Sequence, residues 1–282
     1  MTEPICYLNG EFLPLDQAKI SVLDRGFIFG DAIYEVIPVY RRKPLRLAAH
    51  LARLNRSLAE IRIAAPHSDG EWIGLVDELI RYQASEDQAI YIQVTRGVVK
   101  REFGLLQGIE PTIFMLSSPF VAPPKQQIHN GVAAVSLPDF RWLRCDIKST
   151  SLLGANMLRQ FANDAGGAEC VLFRDGFLTE GSSSNIFVVK NETLLAPPKS
   201  RLILPGITYD LILELARANA ISVEVRDIGE SEVKAADELM ISASLRELLA
   251  ITQLDGKPVG SGTPGPVFRR LYDLFTSYKN NL

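Results

Sequence analysis

Two residues set the chemistry this chain can attempt. Lys148 stands in Cys145-Asp-Ile-Lys-Ser149, ahead of a run rich in Leu and Ala, and Glu180 stands in Thr179-Glu-Gly-Ser-Ser-Ser-Asn185. An amine that can shed its proton attacks a carbonyl carbon to form an imine and then carries protons. A fixed carboxylate keeps a heteroaromatic nitrogen protonated, so that the ring accepts electrons. A lysine is ordinarily a solvated surface group, and a carboxylate before a glycine is ordinarily a turn residue. The setting distinguishes these two. Lys148 falls between a strand-like approach over residues 141–147 and a helix expected from about Ser151 to Ala165, a junction that can aim a side chain into a cleft. Burial beside a cation lowers a lysine pKa and frees the amine.

Around this pair lie weaker signals for an anion. Leu204-Pro-Gly-Ile-Thr-Tyr-Asp210 opens a helix with proline, glycine and a hydroxyl residue, leaving backbone N–H groups at its start where a phosphate can sit. Ser242-Ala-Ser244 follows a strand-like run from Glu238 and offers further donors. Ser182, Ser183 and Ser184 are suited either to a polar cleft wall or to a plain loop. Arg53 falls off the apolar stripe of its helix, so periodicity alone leaves it in solvent. His50, His67 and His129 have no second ligand at helical spacing, and Cys6, Cys145 and Cys170 form no Cys-x-x-Cys pair. Neither a metal centre nor a disulfide framework is expected.

The elements that must position these groups follow from pattern. Asn9-Gly10 predicts a hairpin joining Ile5–Leu8 to Glu11–Leu13. Ala32 to Tyr40, Ala89 to Val99, Thr112 to Leu116 and Val132 to Leu137 read as strands rich in β-branched and aromatic residues. Leu51, Leu54, Leu58 and Ile61 recur at helical spacing, predicting a helix from His50 that Pro66 ends, and Trp72 to Tyr82 repeats the pattern. Asp175-Gly176 joins two strands as a second hairpin, and a helix runs from Gly206 to about Ala220. The proline-rich stretch Ser117–Asn130 lacks periodicity, which predicts an N-terminal domain over 1–118, a linker over 119–130 and a C-terminal domain over 131–282 that carries Lys148.

With 282 residues and a net charge of −3, the chain can bury large cores and shows no basic footprint for nucleic acid. No apolar run approaches the roughly 20 residues that span a bilayer. The opening Met1-Thr-Glu-Pro4 lacks the features of a secretory signal. A soluble cytoplasmic protein is expected.

Taken in order, Asp24-Arg-Gly-Phe-Ile-Phe-Gly-Asp-Ala-Ile-Tyr-Glu-Val36, His50-Leu-Ala-Arg53, Gln93-Val-Thr-Arg-Gly97, Asp146-Ile-Lys-Ser149, Thr179-Glu-Gly-Ser-Ser-Ser-Asn185 and Leu204-Pro-Gly-Ile-Thr208 resemble the class IV, or fold type IV, pyridoxal phosphate aminotransferases. Asp-Ile-Lys-Ser followed by Leu152-Leu-Gly-Ala155 is most similar to the D-amino-acid (D-alanine) transaminases among them. The resemblance implies a two-domain α+β enzyme, a homodimer with pyridoxal 5'-phosphate in the interdomain cleft. It implies Lys148 as the Schiff-base lysine that moves a proton between substrate Cα and cofactor C4', and Glu180 as the partner of the pyridine nitrogen. Arg53, the backbone of Ile207 and Thr208, and the Ser244 region are implied to hold the phosphate, with Leu204 against the ring. Tyr34 and Arg101 match substrate-pocket positions, Arg101 as the grip on a carboxylate. Tyr91 matches a pocket tyrosine contributed across the dimer interface.

One departure bears on substrate. D-amino-acid transaminases of this type commonly read Arg-x-His where this chain has Arg101-Glu-Phe103. Losing one donor of a carboxylate trap costs about 1.5–3 kcal/mol, and Phe103 opens the pocket to apolar groups. Rivals on the same scaffold are an (R)-selective amine transaminase, a branched-chain L-amino-acid transaminase and an aminodeoxychorismate lyase. A catalytically silent binding protein is a rival of another class.

Overall fold

The structure is a computed structural model that describes residues 3–282, divided into two compact units. The first comprises the chain through Val121 together with Ile147–Leu152 and Leu282. In chain order it holds β1 (Ile5–Leu8), β2 (Glu11–Pro14), α1 (Arg25–Phe29), β3 (Ala32–Tyr40), β4 (Lys43–Pro44), α2 (Leu47–Glu60), α3 (Asp69–Tyr82), β5 (Gln88–Thr95) and β6 (Ile113–Pro119). The strands form one antiparallel sheet in the order β2-β1-β6-β5-β3-β4. The first hairpin turns where the sequence expects it, with Asn9 and Gly10 at φ 48° and 101°, the left-handed values a tight two-residue turn demands.

Alternation decides what each face of this sheet does. Ile33, Ile37 and Val39 of β3 and Ile90, Ile92 and Val94 of β5 meet Leu51, Leu54 and Leu58 of α2 and Trp72, Val76 and Leu79 of α3 in one core. The intervening positions, Tyr34, Tyr91 and Phe114 among them, project from the opposite face. Helix α2 starts at Leu47, earlier than its apolar stripe announces, and ends at Glu60. Arg62 is left-handed at φ 58°, its N–H donating to Ala59 O at 3.0 Å and that of Ile63 to Leu58 O at 2.9 Å. This Schellman closure stops the helix before Pro66 is reached. In α3 the start is a capping box, in which Ser68 and Glu71 each accept the other's backbone N–H.

The lysine segment Ile147–Leu152 packs with this first unit and meets β3 through an isolated antiparallel bridge between Ser149 and Ile33. Tyr34 N–H donates to Lys148 O and Thr150 N–H to Ala32 O, both at 3.0 Å, and Ile147 joins the helix-covered core.

The second unit holds α4 (Lys125–Asn130), β7 (Val132–Pro138), α5 (Leu153–Asp164), β8 (Glu169–Arg174), β9 (Phe177–Leu178), β10 (Asn185–Lys190), β11 (Thr193–Ala196) and α6 (Ile207–Ala218). It continues with β12 (Val223–Val225), α7 (Glu230–Lys234), β13 (Glu238–Ala243), β14 (Glu247–Leu254), β15 (Lys257–Pro258) and α8 (Pro266–Asn280). Its sheet runs β12-β11-β10-β13-β14-β7-β8-β9, with β15 paired to β14. Leu195 of β11, near one end of that order, shares a core with Phe173 and Leu178 at the other end. The sheet therefore curls around its own apolar interior. Outside it, Leu158 and Ala162 of α5 cover Cys170 and Leu172, and Tyr209 of α6 stacks on Phe187 at 5.1 Å.

Two expectations change. Residues 141–147 form no strand: Arg141 donates to Asp139, Arg144 to Asp146 and the Cys145 thiol to Trp142 O, so polar groups are satisfied by near neighbours rather than by a ladder. The stretch expected to be irregular over 117–130 contains the end of β6 and the short α4. Among the described residues no helix is long and apolar enough to cross a membrane.

Trp72 has no solvent exposure and fills the space between α3 and the sheet. Trp72→Ala is expected to destabilise the first unit by about 3–5 kcal/mol, measured by urea unfolding. An unchanged midpoint would remove it from the core account.

Candidate active site

Lys148 is half-buried, with its carbonyl tied to β3 and its Nζ 4.1 Å above the Tyr34 ring. That cation–π contact aims the amine along the sheet face that α2 and α3 leave uncovered. Among the described residues its Nζ forms no salt bridge with a carboxylate. Tyr34 and Tyr91 lie 5.9 Å apart, ring to ring. Burial, and the neighbouring Tyr34, push the Tyr91 hydroxyl up to about 12, so it stays protonated and donates to Gln93 Oε1 at 2.7 Å. Cys145 offers no competing nucleophile, because burial pushes its thiol up to about 11.

Arg53 does not stand in solvent as periodicity suggests. Its Nε donates to Glu35 Oε1 at 2.7 Å and its Nη2 to Glu35 Oε2 at 2.8 Å, and His50 Nδ1 meets the same Oε2 at 2.8 Å. Glu35 has no exposure, and burial alone would raise its pKa. The Arg53 guanidinium overrides that and holds the carboxyl well below the usual range. A signal for this was present in the strand pattern: Glu35 shares the inward register of Ile33 and Ile37, so a buried anion there requires a cation from the helix above.

In the second unit, Glu180 accepts Arg141 Nη1 on Oε1 at 2.6 Å, and Asn185 Nδ2 and Leu204 N–H on Oε2 at 3.1 and 2.9 Å. Oε1 thus keeps a lone pair for one more donor. Arg141 also forks onto Asp139, through Nε at 3.0 Å and Nη2 at 2.9 Å, and Asp139 accepts Thr179 Oγ1. Sequence reasoning missed Arg141 and Asp139, whose only signal is opposite charge two residues apart. Burial pushes Glu180 up to about 7, with Arg141 pulling the other way.

The serines after Glu180 turn inward rather than lining a cleft wall. Ser182 N–H and Ser184 Oγ donate to Glu169 at 3.0 and 2.8 Å, and Glu169 also pairs with Arg159 and Arg246. Only Ser183 is exposed. Leu204 O accepts Asn185 Nδ2 at 2.9 Å, and Gly206 follows where a Cβ would sit 2.1 Å from Asn185 Oδ1. As the N-cap of α6, Gly206 brings no side-chain cap, so the N–H groups of Ile207 and Thr208 remain for an outside acceptor. Ser242 Oγ is buried with no hydrogen-bond partner, opposite Asn185 in the β10–β13 ladder. Ser244 is half-buried in the β13–β14 turn.

Arg101 is exposed in the connection from β5 to β6, its guanidinium 5.3 Å from the Phe29 ring and 5.4 Å from that of Phe103. Within the first unit the structure thus gathers Lys148, Tyr34 and Tyr91 and sets Arg101 among aromatics. Within the second it gathers Glu180 with Leu204.

The chain matches the family described as amino-transferase class IV over residues 32–254. It is 38% identical over 263 residues to a D-alanine aminotransferase from Bacillus licheniformis, covering 93% of each chain. To a D-alanine aminotransferase from Staphylococcus aureus (strain COL) it is 37% identical over 273 residues, 96% of each. Branched-chain amino acid aminotransferase from Escherichia coli superposes with a TM-score of 0.89 at 24% identity, over 98% of this chain and 94% of that one. The branched-chain amino acid aminotransferase from Thermobaculum terrenum, in its PLP-form, superposes at 0.87 with 22% identity, over 99% and 95%. At such identities the likeness is one of fold, and the mixed α+β architecture expected from sequence is shared with these structures.

For an acid whose folded pKa is raised, stability is full below the unfolded value and declines as pH rises through the folded value. In cofactor-free protein, wild type should therefore lose ground to Glu180→Gln between pH 5 and 8, by about 3 kcal/mol at most. Thermal unfolding across that range checks it; a constant difference would contradict the raised Glu180.

Proposed function

This chain belongs to the class IV aminotransferases, and on that premise we propose that it moves the amino group of a D-amino acid, such as D-alanine, to a 2-oxo acid, using pyridoxal 5'-phosphate held by Lys148. The observation that carries the reading is the amine of Lys148, half-buried over Tyr34 and without a carboxylate partner among the described residues. Relatives named D-alanine aminotransferase, similar over nearly the whole chain, support the substrate class.

The groups present suit this cofactor. Unpaired N–H groups at the start of α6 and the unpartnered Ser242 hydroxyl are donors waiting for an acceptor such as a phosphate. The remaining lone pair of Glu180 is an acceptor waiting for a ring N–H. When bound, the cofactor supplies a conjugated ring that takes up the electron pair left when a Cα proton departs. Lys148 would anchor it through Nζ, and the same amine, set free when the substrate amine takes its place, would be the base that removes the Cα proton. Glu180 keeps the ring nitrogen protonated, and Arg141 keeps Glu180 in place. Ile207, Thr208, Ser244 and Arg53 hold the phosphate, with Glu35 and His50 fixing the orientation of Arg53. Leu204, its N–H and C=O occupied by Glu180 and Asn185, would pack against the ring. Tyr34 and Tyr91 flank the substrate, and Arg101 grips its carboxylate with a planar fork.

Exposed apolar side chains along α5, namely Leu153, Met157 and Phe161, with Trp142 and Leu143 nearby in the chain, support a homodimer. Three cysteines, all unpaired and buried, support a cytoplasmic home. One observation favours a second reading: Phe103 is 76% exposed beside Arg101, an apolar surface suited to an (R)-amine such as (R)-1-phenylethylamine.

Purified holoenzyme should convert D-alanine and 2-oxoglutarate to pyruvate and glutamate and leave L-leucine untouched; turnover confined to L-leucine would overturn the assignment. Lys148→Ala should lower the rate by about 10²–10⁴-fold or more. Arg101→Ala should reduce kcat/KM for D-alanine by about 10–100-fold while sparing (R)-1-phenylethylamine, and equal losses would contradict the carboxylate grip.

A further inference from the structure

The connection that carries Arg101, from Thr95 to Ile113, has no sheet or helix of its own beyond an isolated bridge between Val98 and Asp24. A long surface loop of this kind samples many conformations unless something holds it. Here two buried guanidiniums do. Arg25 donates from Nη1 to Glu102 O at 2.5 Å and from Nη2 to Gly104 O at 2.9 Å, gripping the backbone on both sides of Phe103. Arg96 donates from Nη1 to Leu106 O at 3.0 Å and from Nη2 to Ile61 O at 2.6 Å, joining the loop to the end of helix α2.

Both arginines are nearly without exposure and would repel one another out of water. Asp31 lies between them. Its Oδ2 accepts Arg25 Nε at 2.8 Å and Arg96 Nε at 2.7 Å, and its Oδ1 accepts Arg96 Nη2 at 3.0 Å. Each guanidinium thus spends one edge on Asp31 and turns the other toward loop carbonyls. The outer layer repeats the theme: Arg25 lies 4.8 Å and Arg101 5.3 Å from the Phe29 ring, and Phe29 packs on Phe103 at 5.6 Å.

We propose that Asp31 is the positioning residue of the substrate grip: acting through Arg25 and Arg96, it fixes the 100–106 loop and so holds Arg101 ready for a carboxylate. The role attributed to Arg101 rests on the transaminase reading above; the tether itself does not. An Asp31→Asn side chain keeps the size but removes the charge that lets two buried cations sit together. The guanidiniums then separate and the carbonyls of Glu102, Gly104 and Leu106 lose their donors.

Limited trypsin digestion of the holoenzyme reads the tether directly, because Lys100 and Arg101 are exposed cleavage sites. In Asp31→Asn, cleavage there, identified by fragment mass, should accelerate at least ~10-fold. KM for D-alanine should rise about 10-fold with kcat within about 2-fold, the split expected for lost uniform binding. Arg25→Gln, which leaves the Arg96–Asp31 pair intact, should show the same pattern more weakly and serves if Asp31→Asn does not fold. Cleavage at the wild-type rate would overturn the tether, and faster cleavage with unchanged KM would overturn its link to Arg101. Should the wild type fail to turn over D-alanine, the transaminase reading falls while the digestion still decides the tether.

Discussion

The guanidinium of Arg141 spans two buried carboxylates, donating to Glu180 at 2.6 Å and forking onto Asp139; without it Glu180 would have no cation beside it and Asp139 would keep only Arg174. Such an arrangement is a poor source of net stability, since desolvation cancels much of the attraction. Its value is directional. A planar fork admits one geometry, and that geometry fixes which oxygen of Glu180 has a lone pair to spare. The same device recurs at Glu35 with Arg53 and at Glu169 with Arg159 and Arg246. For Glu180, Glu35 and Glu169 a strand or loop contributes the acid, and the base comes from a separate stretch of chain. These buried polar side chains are therefore locked by partners that no apolar replacement could imitate.

This has an energetic corollary. Apolar packing in both units is ample, with closed cores between sheet and helices in one and inside a curled sheet in the other. Stability can thus come from burial of Ile, Leu, Val and Trp, leaving ion pairs to serve placement. A substitution in a core residue and one in an ion-pair acid should fail differently: the former opens a cavity, the latter leaves a buried guanidinium without its counter-charge and free to swing away from its place.

The sequence displayed Lys148 and Glu180 because their local settings are unusual, and it displayed β3 and the Asn9-Gly10 hairpin because strand period and turn chemistry are local rules. It hid whatever depends on a distant partner. Arg53 falls off an apolar stripe, and helix periodicity counts only apolar residues, so the acid that draws it inward is visible only in the register of β3, where Glu35 shares the inward face with Ile33 and Ile37. The serines after Glu180 turn toward Glu169, a residue on another strand. Residues 141–147 carry enough apolar side chains to imitate a strand, but their paired charges close short loops instead. Helix α2 ends at a left-handed arginine, a conformation that residue type does not advertise, whereas Pro66 advertises a stop that is not used.

The lysine segment bridges to β3, and Thr150 reaches Gly30 O across 120 positions of chain. During synthesis the amino-terminal sheet must wait for that late segment to emerge, with Tyr34 N–H and Ala32 O lacking their mates meanwhile. A nascent or truncated product that stops at Val121 would carry a sticky, half-zipped border, prone to pairing with other chains. An amino-terminal piece ending at Val121 would therefore lack residues 147–152, which belong to the same compact unit.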